Sequence, residues 1–171
     1  MTRHLLVASV TMLMLAPTIC GEPVYYAISN GESDGRRVWQ IGDLKQFKAK
    51  RPANVFDLYT FHRLSDGAAR VQREISTRSG EWFLLLIYYY SKDGRLTKID
   101  YDFETVGGLC SCGESGPIRC ARSYVVDDTG NLRKTAERVT EVKTGRIVDW
   151  TFYEPQVRHW ATLRELPILP H

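Results

Sequence analysis

Three carboxylates recur at every second position in Asp100-Tyr-Asp102-Phe-Glu104. On an extended strand that spacing points all three to one face. Side by side they could share a cation, or one could be held protonated by its neighbours and serve as an acid. Either role needs a second element: more oxygen ligands for calcium, or a histidine such as His62 or His159 for proton transfer. A solvated stripe answering Lys and Arg on the next strand is the simpler alternative.

The cysteines form the second reactive set. Cys110, Cys112 and Cys120 belong to a glycine-rich loop insertion over residues 107–120. In an oxidising compartment one bridge is expected, Cys112 to Cys120 or Cys110 to Cys120, with the third thiol left over. Zinc would need His62 or His159 as fourth ligand, and Cys110 and Cys112 stand closer in sequence than structural zinc pairs do. The reading therefore assigns no metal and no cofactor. The chain also lacks Cys-x-x-Cys, Gly-x-Ser-x-Gly, His-Glu-x-x-His and a phosphate-cradling glycine loop, so it leans away from an enzyme.

The compartment follows from the start of the chain. Arg3 and His4 precede an apolar run from Leu5 to Ala16, Pro17 breaks it, and Thr18-Ile-Cys-Gly21 supplies a junction for a peptidase. Residues 1–21 thus read as a signal peptide, and the protein is expected to be secreted or periplasmic. The apolar run is shorter than the roughly 20 residues a membrane span needs. A lipidated Cys20 would instead tether the protein to a membrane, although Ile19 and Pro17 suit such a site poorly.

What remains, residues 22–171, is expected to form a single β-rich domain. With 23 Lys and Arg against 20 Asp and Glu the net charge is +3, and loss of Arg3 with the leader lowers it to +2. Nucleic-acid binders carry a far stronger basic excess, so no nucleic-acid partner is expected. One local exception exists. Arg36, Arg37, Lys45, Lys48, Lys50 and Arg51 face only Asp43 over their stretch, which is either a solvated face or a contact for an acidic or lipid surface.

Turn signals punctuate the chain at strand-like intervals: Ser65-Asp-Gly67, Ser79-Gly80, Ser91-Lys-Asp-Gly94, Asp127-Asp-Thr-Gly-Asn131 and Lys143-Thr-Gly145. Between them apolar and polar residues alternate, with Val71, Arg73 and Ile75 on one face and Arg70, Gln72 and Glu74 on the other. The fold expected is mainly β, an antiparallel meander of about eight strands as an open sheet or partial barrel. One or two short helices pack on it. One is capped by Asp43 and turns Leu44 and Phe47 inward; the other lies in a C-terminal clasp, residues 155–171, where Val157, Trp160 and Leu163 recur three apart. The segments from Tyr90 and from Tyr124 resemble each other in their tyrosine, their Asp-rich glycine turn and the leucine that follows.

Glu81 to Tyr90 departs from the alternation, since neither face is plainly polar. A two- or four-residue hairpin after it sets Ile99, Tyr101 and Phe103 beside Trp82, Leu84, Leu86 and Tyr88 as core. The opposite face then carries Phe83, Leu85, Ile87 and Tyr89 next to Lys98, Asp100, Asp102 and Glu104. A strand apolar on both faces requires cover on both. The clasp, the helix at Phe47, a second subunit in a homodimer, another protein or an apolar ligand are the candidates. The function expected is non-catalytic binding or structural service outside the cytoplasm, through this sheet face or a dimer interface. A small-barrel carrier with the four residues lining its interior is the alternative, and a hydrolase-type enzyme using the strand carboxylates comes after it.

Overall fold

The computed structural model describes residues 18–29, 37–50, 55–76, 80–105, 117–148 and 157–169. Eight strands form one sheet: β1 (Ile19–Ser29), β2 (Arg37–Ile41), β3 (Val55–Leu64), β4 (Ala69–Ser76), β5 (Trp82–Tyr90), β6 (Leu96–Thr105), β7 (Ile118–Val126) and β8 (Leu132–Glu141). The order across the sheet is β2-β1-β3-β4-β5-β6-β7-β8, every neighbour is antiparallel, and the sheet is open. The expected meander is therefore present, with the two early strands at one edge.

Residues 1–17 lie outside the described part, and β1 already includes Ile19 and Cys20, which the sequence assigns to the leader. Those two residues meet Leu64 and Arg63 ahead of a register shift, and the continuous pairing begins at Val24. Gly21, within that irregularity, has a φ of 83°.

Turn chemistry sets which side chains enter the core. After β5, the Ser91 N–H donates to the Arg95 carbonyl at 2.8 Å and the Gly94 N–H to the Ser91 carbonyl at 2.9 Å. The turn after β7 repeats this: the Asp127 N–H donates to the Asn131 carbonyl and the Gly130 N–H to the Asp127 carbonyl, both at 2.9 Å. Gly94 and Gly130 close these turns at φ of 74° and 87°, a region side chains disfavour. Neither is the two- or four-residue hairpin expected. Carried on unbroken, the first turn would set Tyr88 opposite Lys98. A bulge intervenes: Tyr90 pairs with Leu96 but Tyr89 pairs with Lys98, so Thr97 is the extra residue and Tyr88 meets Ile99. Thr135 is skipped in the same way between Lys134 and Ala136. The faces of β5 and β6 therefore come out as the sequence reading assigns them, by a different route.

The core occupies one face. Tyr59, Val71, Leu84, Leu86, Tyr88, Ile99, Tyr101 and Phe103 are buried there, and Leu166 and Ile168 of the C-terminal segment pack on them with Trp160 and Leu163. That segment is not the helix its three-residue spacing suggests, apart from a 3-10 turn at Leu163–Glu165. Its carbonyls are taken by the sheet: the Tyr88 hydroxyl donates to Arg158 at 2.8 Å, the Tyr90 hydroxyl to Trp160 at 3.4 Å, and the Leu96 N–H to Ala161 at 2.9 Å. A helix needs those carbonyls for itself. Helix α1 (Leu44–Ala49) starts as expected, with Asp43 accepting from the Gln46 N–H at 2.9 Å. It lies on the opposite face over Ala27, Ile41 and Leu58, which belong to β1, β2 and β3.

Candidate binding face

Beyond α1, the face opposite the core is a grid of side chains in strict register. Across β4, β5, β6 and β7 its rows read Arg70-Tyr89-Lys98-Val125, Gln72-Ile87-Asp100-Ser123, Glu74-Leu85-Asp102-Ala121, and Ser76-Phe83-Glu104-Arg119. Phe83, Leu85, Ile87 and Tyr89 thus run down the middle beside Lys98, Asp100, Asp102 and Glu104, as the sequence predicts. Neither expected cover lies on this strip: the clasp packs against the core face, and α1 stops over β3. Phe83 is 41% exposed, and Leu85, Ile87 and Tyr89 are half-buried. A shallow depression of about 470 Å3 opens over Leu85, Ile87, Ala121, Ser123 and Ala136.

The acids do not cooperate. Lys98 Nζ lies 2.9 Å from Asp100 and 5.0 Å from the centre of the Tyr89 ring. The Ser123 hydroxyl donates to Asp100 at 2.7 Å. Burial disfavours the Asp100 charge, yet the hydrogen bonds from Lys98, Ser123 and Tyr89 outweigh it and hold the carboxyl below its ordinary range. Asp102 is gripped by Arg119, whose Nε donates to Oδ1 at 2.7 Å while a second nitrogen takes Oδ2. The arrangement is that of a stripe answered by basic neighbours: Asp100 is paired with Lys98 of β6 and Asp102 with Arg119 of β7, and the Asp100 pKa moves down. No trio of metal-ligating side chains converges among the described residues.

The histidines stay apart from the acids. His62 sits opposite Arg70 on β3, three strand spacings from β6 and one row off Asp100, so about 15 Å separates them. Burial, aided by the Arg70 charge, lowers its pKa. His159 borders a separate cleft of about 590 Å3 where the clasp meets the two Asp-Gly turns. Asp127 in that cleft is engaged by its own turn, accepting from the Thr129 and Asn131 N–H groups at 2.9 Å.

Cys110 and Cys112 lie outside the described residues, with most of the 107–120 loop. The expected bridge to Cys120 is not seen: no disulfide joins two described residues, and Cys120 is fully buried on the core face opposite Phe103, while Cys20 is exposed. A thiol at that position packs as a small apolar side chain. Of the basic cluster, Lys45 and Lys48 project from α1 with Lys50 at its end and Arg37 opens β2; Arg36 and Arg51 lie outside the described part.

One polar constellation escaped the sequence reading. On the core face Arg73 donates to Asp57 Oδ2 from Nη2 at 2.6 Å and from Nε at 3.2 Å, with side chains only 12% and 5% exposed. Its guanidinium lies 5.7 Å from the Tyr59 ring and 5.6 Å from the Trp160 ring. Trp160 in turn leans on Tyr88 at 5.5 Å. The signal was present, since Asp57 shares the phase of Tyr59 and Phe61, and Arg73 that of Val71 and Ile75. Opposite charges in core phase on adjacent strands mark a buried pair. Here the pair docks the clasp.

No protein family model, curated protein or solved structure matches this chain. Among the described residues no helix is long and apolar enough to cross a membrane.

Proposed function

We propose that this is an exported, non-catalytic binding or structural protein that engages a partner through the open face of β4 to β7. The observation that carries the reading is the strip of exposed Phe83 and half-buried Leu85, Ile87 and Tyr89, which no described segment packs over, in the middle of an otherwise ordered face. Taking such a side chain fully out of water contributes about 1.5–3 kcal/mol, and a partner gains the fraction still open, most at Phe83 and less at the half-buried Leu85, Ile87 and Tyr89. The flanking ion pairs give that surface a polar rim, the usual anatomy of a reversible contact. The carrier reading needs the same four residues inside a closed sheet, and they stand on an open one. The hydrolase reading needs a carboxylate of the strip to meet His62 or His159, and His62 stands three strands from Asp100 while His159 borders the clasp. Secretion or a periplasmic location rests on residues 1–21; contact with membranes through Lys45, Lys48 and Lys50, or through a lipidated Cys20, is subsidiary to it.

A photo-crosslinking amino acid at position 83, with a control at Thr129 on an exposed turn, tests the reading in cells. An adduct at position 83 that the control lacks supports it, and bare protein at both positions overturns it. Mass analysis of the recovered chain tests export directly, because a chain that keeps Met1 to Gly21 in the cytosol contradicts it.

A further inference from the structure

The open face carries a charge gradient along β5 as well as an apolar strip. Arg70 and Lys98 flank its Tyr89 end; Glu74 and Glu104 flank the strip toward its Phe83 end. Lys98 is engaged by Asp100, and Arg119 by Asp102. Among the described residues no carboxylate forms an ion pair with Arg70, whose Nε is buried without an acceptor. Nor does any described cation pair with Glu74 or Glu104; Glu74 accepts only from the Gln72 side chain, at 3.0 Å. The face therefore has a cation without an ion pair at one end of its strip and, at the other, Glu74 without one and Glu104 facing an Arg119 that Asp102 already engages.

Such a surface is complementary to itself after half a turn. We infer that the occupant of this face is a second copy of the chain, packed sheet against sheet about an in-plane two-fold axis that crosses the strands at the level of Leu86. This assignment rests on the binding reading above and names its partner. The axis reverses one β5 over the other, so Phe83 and Leu85 of each copy meet Tyr89 and Ile87 of the other. It brings Arg70 of each copy within side-chain reach of Glu74 in the other, and Lys98 toward Glu104. Sheets stacked about 10 Å apart interleave side chains of this size. A foreign protein could also supply apolar side chains, but the sheet itself already supplies both charges in the required order.

The open area from β4 to β7 is roughly 20 by 20 Å from strand spacings, on the order of 400 Å2 for each copy. That is half of what a standard interface buries per partner. The dimer is accordingly reversible, with a dissociation constant in the micromolar range, and it weakens with salt because its specificity is ionic.

Sedimentation of the mature chain across the micromolar range reads the result, with circular dichroism confirming that each variant folds. The wild type is expected to pass from monomer to dimer with rising concentration. Arg70→Glu alone, and Glu74→Arg with Glu104→Arg, are each expected to weaken self-association at least about tenfold. An equimolar mixture of the two variants restores the dimer, since each now offers what the other lacks. A chain that stays monomeric throughout overturns the second copy, and a position-83 adduct to a different protein would then leave the binding reading standing without it. A dimer indifferent to both variants places the contact elsewhere and overturns the inference together with the face assignment.

Discussion

The Thr97 hydroxyl donates to the carbonyl of Tyr89 across the β5–β6 hairpin at 2.9 Å. That bond lies at the bulge that steps the register by one and decides which side of β6 enters the core. Thr135 does the same in the other hairpin, donating to the Ser123 carbonyl at 3.1 Å. Deleting Thr97 removes the extra residue but leaves Lys98 opposite Tyr89 and Ile99 opposite Tyr88, so the chain is expected to keep its two faces and fold, at a cost confined to the junction with the turn. Thr97→Ala keeps the count and loses only an exposed bond, costing about 0.5–1 kcal/mol. Urea denaturation of the two variants separates the effects.

Breaking the buried pair should be severe. Arg73→Met leaves the Asp57 carboxylate without its ion-pair partner, and a stability loss of about 3–5 kcal/mol is expected. Trp160 loses the guanidinium beneath it at the same time, so its fluorescence should shift toward that of exposed indole at low denaturant. Adding Asp57→Leu to the same chain should recover part of the loss, because the stranded charge is then gone.

Alkali should loosen the clasp. Burial pushes the Tyr88 pKa up to about 12 against the opposing pull of Arg73, and burial raises that of Tyr90 as well. Between the ordinary value of 10.0 and about 12 the folded chain keeps a proton on Tyr88 that the unfolded chain has lost. Its contribution is therefore complete below pH 10 and disappears as pH climbs through 12, a loss of about 2–3 kcal/mol. Tyr88→Phe should remove that part of the alkaline transition while forfeiting the hydrogen bond to Arg158. Stability followed against pH by tyrosine absorbance and denaturant midpoint checks both.

His62 reports on Arg70. Burial first, and the neighbouring guanidinium second, keep it below its ordinary 6.5. In NMR titration its imidazole should protonate below 6.5, and Arg70→Gln should raise its pKa without returning it fully. The fold favours the neutral ring, so the stability it contributes is present above pH 6.5 and fades as pH falls through the lowered value.

The sheet was legible because turn residues and two-residue alternation are local signals. Asp-Gly turns and alternating runs located the hairpins, and Asp43 marked the start of α1. The partition of β5 and β6 into two faces also came out right, although through a turn of another length corrected by Thr97, which no local pattern announces. The cover of each face was not legible. Val157, Trp160 and Leu163 have helical spacing, but the hydroxyls of Tyr88 and Tyr90 and the Leu96 amide claim the carbonyls of their segment from far away in sequence. The same blindness hid the partners of the acids: Arg119 reaches Asp102 from the next strand, whose register against β6 the long intervening stretch of sequence does not announce. Spacing showed that three carboxylates share a face, and only pairing shows that two of them are already neutralised.

The part of the chain that seals the core is made late. Leu166 and Ile168 are buried, and Trp160 packs at a tilt against the tyrosines of β3 and β5, so strands emerging from the ribosome find no lid for their apolar side until residues 157–169 have been synthesised. Cooperative folding is thereby postponed past translation of the sheet itself.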